Sequence, residues 1–365
     1  MATETLSSMG LSVEGAVKQA ASHRDPEVRI RARQILRVIR HADRQRLINA
    51  FIAGADVADD AGLPGWSAFQ EIAGNDDNAR KLYVQLLEDE WEFLDAVYQS
   101  EPPVASSLVA GRIIALDLAS RRKPPVTVGN IASLLLVASR DQVELTNQAA
   151  NLMSLCYRSS DFEAAIRNGP SRDALRALLG RVIAGGAGNS ADPYLTQRFH
   201  FSLYYDLKEG LEPARQVLRE GLGIPHVRQY ALLVLGKLGE TQDETIIESL
   251  LNDPSVIISS RVNRQRIETQ VRDVALAVLV HRRGGKFQEY GMTDVKPHPT
   301  TFLQLATVGF ANDQQREQAI AAWTQRHAAK VTPTTDDTPP TPKTQADEVR
   351  RLEADPVDRP LPHGQ

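Results

Sequence analysis

Apolar residues recur at helical spacing along most of this chain. The clearest case lies near the amino terminus, in "HRDPEVRIRARQILRVIR", residues 23–40. Val28, Ala32, Ile35, Leu36 and Ile39 fall three and four apart and form one stripe of a helix. Asp25 before Pro26 predicts where it starts. The acid accepts from free backbone N–H groups, and proline at the first helical position gives up no hydrogen bond. Upstream, Val13, Val17 and Ala20 predict a shorter helix facing it. Two antiparallel helices joined by so tight a turn cannot cover their own apolar face, so they need neighbours.

The pattern returns in "IPHVRQYALLVLGKLG" (224–239) and "ETQVRDVALAVLVHRRG" (268–284). Val227, Arg228 and Ala231, then Val271, Arg272 and Ala275, stand where Val28, Arg29 and Ala32 stood. The last two copies are 44 residues apart (271 − 227), inside the roughly 40–47 residue period of two-helix repeats. "LNDPSV" at 251–256 supplies another Asp-Pro turn after a helix. The middle of the chain predicts helices at about 76–99, 104–122, 128–140, 142–159, 171–184, 193–208 and 211–221, separated by "EPP", "KPP", "NGPS" and "GGAGNSADP". No convincing alternating strand is found, and "TFLQLATVGF" (301–310) is the one candidate for extended chain. A last helix is expected over about 312–329, anchored by Ile320 and Trp323.

The Asp-Pro-x-Val-Arg-x-x-Ala pattern, complete at 25–32 and partial at 224–231 and 270–275, resembles the HEAT repeat. In that family the turn proline and the arginine fix the hairpin, and the alanine permits close helix contact. "LPGWSAF" and "PHPTTFLQLATVGFANDQQREQAIAAW" are similar to segments of a bacterial group of HEAT-repeat proteins of unknown function. The resemblance covers about a third of the chain and implies an all-α fold. The expected architecture is an alpha-solenoid of antiparallel hairpins, a HEAT-like superhelix irregular over 60–220. Its expected divisions are a solenoid over 1–285, a carboxy-terminal extension with a final helix over 286–330, and a tail over 331–365. That tail holds seven prolines and few large apolar residues, so disorder is expected. "ATETLSSMG" resembles the end of a repeat helix, so the natural chain is expected to begin further upstream or to have a partner over this end.

Charge changes the picture locally rather than globally. Net charge is −4, which draws the whole molecule toward neither nucleic acid nor anionic lipid. The longest apolar run, 131–139, is far shorter than a spanning helix, and the start lacks a secretory signal. No membrane association and a cytoplasmic location follow by default. Within this balance, residues 24–46 hold eight arginines and no lysine against three acids, while 59–95 hold ten acids against Arg80 and Lys81. Arg29, Arg33, Arg37 and Arg40 share one helical face, opposite the apolar stripe. Guanidinium forks suit carboxylate and phosphate, so these four are the candidate partner-binding residues. Otherwise they face water or pair with the acidic segment, whose Glu88, Glu92 and Asp95 share a face of their own.

Other candidate chemistry is thin. The single cysteine, Cys156, excludes an internal disulfide and reads as a small buried hydrophobe. Glu-x-x-His and His-x-x-Glu are absent, and no histidine is followed by Glu, so the His-Glu pairs of HEAT-type deoxyhypusine hydroxylases have no counterpart. His200 stands in the aromatic run "RFHFSLYYDL", where a core helix is the expected reading, and His298 between two prolines is expected to be exposed. "GGAG" (185–188) and "GGK" (284–286) miss the phosphate-loop fingerprints. Pro64-Gly65 marks a turn, with Trp66 and Phe69 expected to cap the helical stack rather than anchor a partner.

The expectation is therefore a non-enzymatic scaffold that binds protein partners, with self-association open and no cofactor or metal. The alternative is a nucleic-acid-binding or base-repair protein, as in HEAT-like alkylpurine DNA glycosylases, resting on the arginine face. The bilin-lyase activity of some HEAT-like proteins finds no residue here.

Overall fold

The computed structural model describes residues 5–6, 9–54, 62–120, 126–145, 148–185, 194–262 and 265–328. The expected tail at 331–365 and most of the "GGAGNSADP" loop lie outside them. Helix dominates. In chain order the helices are α1 (Glu14–Ala20), α2 (Pro26–Ile52), α3 (Trp66–Ala73), α4 (Asp77–Tyr98), α5 (Pro102–Ala119) and α6 (Val128–Ala138). There follow α7 (Gln148–Arg158), α8 (Ser160–Asn168), α9 (Arg172–Ala184), α10 (Leu195–Tyr205), α11 (Leu211–Arg219), α12 (Pro225–Leu238) and α13 (Glu244–Ser249). After a β-hairpin come α14 (Val271–Arg282) and α15 (Asp313–Ala328). Residues up to Ile320 form one compact unit, and a second begins at Ala321, within α15. In that second unit the rings of Trp323 and His327 stack 3.7 Å apart.

The local signals act as their chemistry requires. The Asp25 carboxylate accepts from Glu27 N at 2.8 Å, and Pro26 opens α2. Asp76 caps α4 through Asn78 N and Ala79 N, and Thr127 and Asn130 form a reciprocal capping box on α6. Ser159 caps α8, a helix absent from the sequence expectation because a single residue separates it from α7. The segment 142–159, expected as one helix, forms only its second half as helix, from Gln148.

The hairpin departs from an all-helical chain. β1 (Val256–Val262) pairs antiparallel with β2 (Gln265–Gln270), from Val262 opposite Gln265 to Val256 opposite Gln270, with a bulge between Val256 and Ile258. The Asp253-Pro254 turn thus leads into a strand. Sequence periodicity misses it because its apolar residues do not alternate cleanly. "TFLQLATVGF" contributes no strand; it contains a short 3-10 turn, Leu305–Thr307, and one bridge from Phe310 to Glu268.

Two of the core clusters bear on the site, and α11–α14 bury a further apolar set that includes Leu232, Leu235, Val274 and Leu279. In the amino-terminal hairpin Val17, Ala32, Ile35 and Ile39 are buried together. Of the predicted stripe, Leu36 is half-buried, while Val28 lies at the exposed margin. A much larger cluster runs from Ile48 to Leu207 through α3–α10. There α4 packs on α6, α7 on α5, and α9 on the distant α3. Gly129 marks the closest approach: a Cβ would fall 2.7 Å from Gln85 O and 2.2 Å from the Asp89 carboxylate. Trp66 and Phe69 are buried with Phe51 and Tyr83 in one aromatic cluster, so their role is packing. α5 corrects one expectation. By length and composition it could cross a membrane, which counting only unbroken apolar runs overlooked. Its Ala105, Val109, Ile113 and Leu116 belong to the central core.

The arginine of each repeat-like copy is a clip. Arg29 donates to His23 O at 2.9 Å and Arg24 O at 2.8 Å, closing its own turn. Arg228 pairs with Asp253 at 3.0 Å, and Arg272 with Asp313 at 3.0 Å, so each ties its helix to a later segment of the chain. A buried pair reinforces the last junction: Arg316 Nε donates to Asp273 at 2.6 Å and its Nη2 to Glu268 O at 2.9 Å. Burial raises the Asp273 carboxyl to about 6 against the pull of Arg316, which still leaves it ionised at neutral pH.

Candidate functional site

α2 is 27 residues long and belongs to both of these clusters. Its first half buries Ala32, Ile35 and Ile39 in the hairpin, and its last turn buries Ile48 and Phe51 in the central cluster. Between these anchors it crosses α4. There Arg33, Leu36, Arg37, Arg40, His41 and Arg44 line a concavity of about 500 Å³, with Glu92 of α4 on the opposite wall. Arg33, Arg37, Arg40 and Arg44 follow at four, three and four residues, so they run along one side of the helix for about 16 Å.

Three of the four arginines expected from the sequence meet here. Arg29 does not; its guanidinium is turned to the carbonyls of its own turn. His41 and Arg44 were missed, although Arg44 continues the same spacing from Arg40. Arg40 Nε donates to Glu14 at 3.1 Å, and Arg44 Nη2 donates to Glu92 at 2.8 Å. The Arg44 guanidinium also lies 5.7 Å from the Trp91 ring. Arg33 and Arg37 are exposed and make no ion pair among the described residues. The Arg44 hydrogen bond, with the charges of Arg44, Arg37 and Arg40, holds the Glu92 carboxyl below its ordinary value. Four arginines against one carboxylate leave the lining at about +3 at neutral pH. The acidic segment thus meets the arginine face through Glu92, while Glu88 points to solvent.

A second concavity, about 380 Å³, is lined by Arg167, Asn168, Arg172, Arg176, Tyr205 and Asp206. Its cations are already engaged. Arg167 donates to Glu163, Arg172 to Asp173 at 2.9 Å, and Arg176 to Asp206 O at 3.0 Å. Burial raises the Glu163 carboxyl, but hydrogen bonds from Arg167, Tyr205 and Tyr204 outweigh it and lower its pKa. Beside it, half-buried His200 stacks on Tyr204, and burial lowers its pKa, with His298 adding to the effect. His298 is exposed, as its prolines predict, and its Nδ1 accepts from Thr300 N and Thr301 N.

Cys156 is fully buried, and burial pushes its thiol up to about 12, which removes it as a nucleophile. Among the described residues, no group of three or more His, Cys, Asp or Glu is placed to hold a metal. No family model matches the chain, and no curated protein or solved structure matches it either.

Proposed function

We propose that this is a non-catalytic interaction protein, a HEAT-like array of helical hairpins, that grips an acidic segment of a protein partner in the α2–α4 concavity. The observation that supports it is the row Arg33–Arg37–Arg40–Arg44 around one recess, with Arg33 and Arg37 unpaired within the described residues. Two free forks offer bidentate hydrogen bonds to carboxylates, and half-buried Leu36 offers an apolar floor to an intervening side chain. The HEAT-like reading draws support from the hairpin clips of Arg29, Arg228 and Arg272, the role the resemblance assigns to that arginine.

A short acidic peptide suits the recess better than a nucleic-acid strand does. Its local charge of about +3 is confined to one helix face of a molecule of net charge −4, so it offers a long polyanion only a short track. The test is fluorescence anisotropy with a labelled octapeptide of alternating Glu and Leu, and with a single-stranded DNA octamer. Peptide binding should weaken about tenfold, about 1.4 kcal/mol, in the Arg33→Ala/Arg37→Ala double variant and stay unchanged in Arg29→Ala. Preference for the DNA, with a steep salt dependence that flattens in the double variant, would establish the nucleic-acid reading instead.

A further inference from the structure

The β-hairpin leaves one edge open. On β2, Glu268 spends its backbone N–H and C=O on Phe310, at 3.0 and 3.2 Å. It therefore faces Ser259 across the hairpin as a pair with no hydrogen bond between them. The ladder alternates, so Arg261 opposite Arg266, two residues along, is a pair of the same kind. The N–H and C=O groups of Ser259 and Arg261 thus point away from β2. Among the described residues no group hydrogen-bonds to them. They form a row of two donors and two acceptors, the row that an added strand pairs with.

Charge sits on the same edge. Arg261 and Arg266 project side by side from one face of the hairpin, where a pair of this kind brings the Cα atoms to about 4.5 Å. Like charges directly opposite destabilise a sheet. Both arginines are exposed, and neither is in an ion pair or hydrogen bond among the described residues. Glu268, two residues along that face, accepts from Gln270 Nε2 at 2.9 Å instead. Packing within the described chain gives no reason for this juxtaposition, whereas an anion beside the two forks does.

The opposite face is covered. Ser260 Oγ donates to Ala306 O at 2.8 Å, Thr269 Oγ1 donates to Leu305 O at 3.1 Å, and Ile267 is buried. Ile258 shares that face, yet on the marginal strand it is 42% exposed. A strand laid along β1 sets one residue beside Arg261. Two strand spacings, about 10 Å, separate that residue from Arg266, a gap that a glutamate and an arginine side chain close between them. Three positions away, on the other face, the added strand meets Ile258. A second copy of β1 fits poorly, because it brings two more arginines to the same rows. An acidic strand matches the charge.

We propose that β1 is a docking edge for an extended segment of a protein partner, with an acidic residue beside Arg261 and Arg266 and an apolar residue three positions away beside Ile258. This edge shares no residue with the α2–α4 concavity, so the two readings fail separately. The probe is the capped heptapeptide Val-Thr-Thr-Glu-Thr-Thr-Val, whose order is the same in both directions and suits parallel or antiparallel addition. Amide exchange followed by NMR on the full chain should show Ser259 and Arg261 slowed at least about tenfold, about 1.4 kcal/mol, at saturating peptide. The Ser260 amide, already in the ladder, should not change. The dissociation constant should rise about tenfold in Arg261→Thr/Arg266→Thr, and likewise when lysine replaces the glutamate of the peptide. Ser259→Pro should abolish protection at Arg261. It deletes only an outward N–H, so slow exchange of Ile267 should survive as proof that the hairpin is intact. In Arg33→Ala/Arg37→Ala the Ser259 titration should be unchanged. No binding at millimolar peptide would overturn the proposal. So would binding without the alternating protection, binding indifferent to Ser259→Pro and to the arginine variant, or self-association that Ser259→Pro removes, which would make a second copy the occupant.

Discussion

The amino-terminal hairpin and the central bundle are both helical, yet they hold together in different ways. The hairpin buries Val17, Ala32, Ile35 and Ile39, and polar clips such as Asp25 to Glu27 N and Arg29 to its turn carbonyls add order. The bundle buries one continuous cluster from Ile48 to Leu207, where a fully buried aliphatic or aromatic side chain contributes about 1.5–3 kcal/mol. The difference teaches where recognition can be placed. The open concavity lies on α2 between the hairpin cluster and the central cluster, where Arg33, Arg37 and Arg40 remain exposed.

The sharpest way to break this comparison is to cut a cavity in each core. Leu86→Ala in the bundle should cost about 2–5 kcal/mol and lower the denaturant midpoint of the whole cooperative transition. Ile39→Ala should leave that main transition nearly in place and instead abolish amide-exchange protection over residues 14–40, since a small core opens as its own unit. Equal loss in the main transition for both would mean that the hairpin and the bundle share one core.

A smaller effect separates two buried acids by their pH response. Glu90 stands at a kink in α4 (φ −138°, ψ 25°), accepting from Arg112 Nε at 2.9 Å and Asn130 Nδ2 at 2.7 Å. Burial raises its pKa above 4.5, outweighing Arg112. The folded protein therefore binds that proton more tightly than the unfolded chain. Wild type should lose stability relative to Glu90→Gln as pH climbs from about 4.5 through the raised value, and then level off. Asp243 is opposite in sign. Burial raises it, but Arg215 at 2.7 Å and Glu240 N at 2.8 Å lower its pKa below 3.8. Its contribution should be full at neutral pH and fade only as pH falls through that lowered value. Urea midpoints from about pH 3 to 7 for wild type, Glu90→Gln and Asp243→Asn test both signs.

Arg29→Ala is the smallest perturbation. It should cost about 1 kcal/mol or less at the turn, visible as faster exchange near residues 24–29, with peptide affinity unchanged. Arg37→Ala should do the reverse, weakening the peptide and leaving stability within about 0.5 kcal/mol.

Much of this was legible in the chain because helix signals are local. Asp25-Pro26 marked the start of α2, and the prolines and glycines of the middle region marked most helix breaks. The hairpin was not legible: its residues neither alternate cleanly nor carry a strong turn dipeptide, and beyond its pairing with β1, β2 is bridged by distant Phe310, which no local pattern contains. Of the site, spacing alone grouped Arg33, Arg37 and Arg40. It also grouped Arg29 with them, because a helical wheel fixes the direction of a Cβ and not where a long flexible side chain ends. Glu92 joined through tertiary contact between α2 and α4, which no local pattern contains.

The length of α2 has a mechanical result. At 27 residues it is a rod of about 40 Å, clamped at one end where Phe51 wedges against Trp66 and Tyr83. Leverage follows: a tilt of about 5° at that clamp sweeps Pro26 through about 3 Å, so the far end of the rod amplifies small strains at its base.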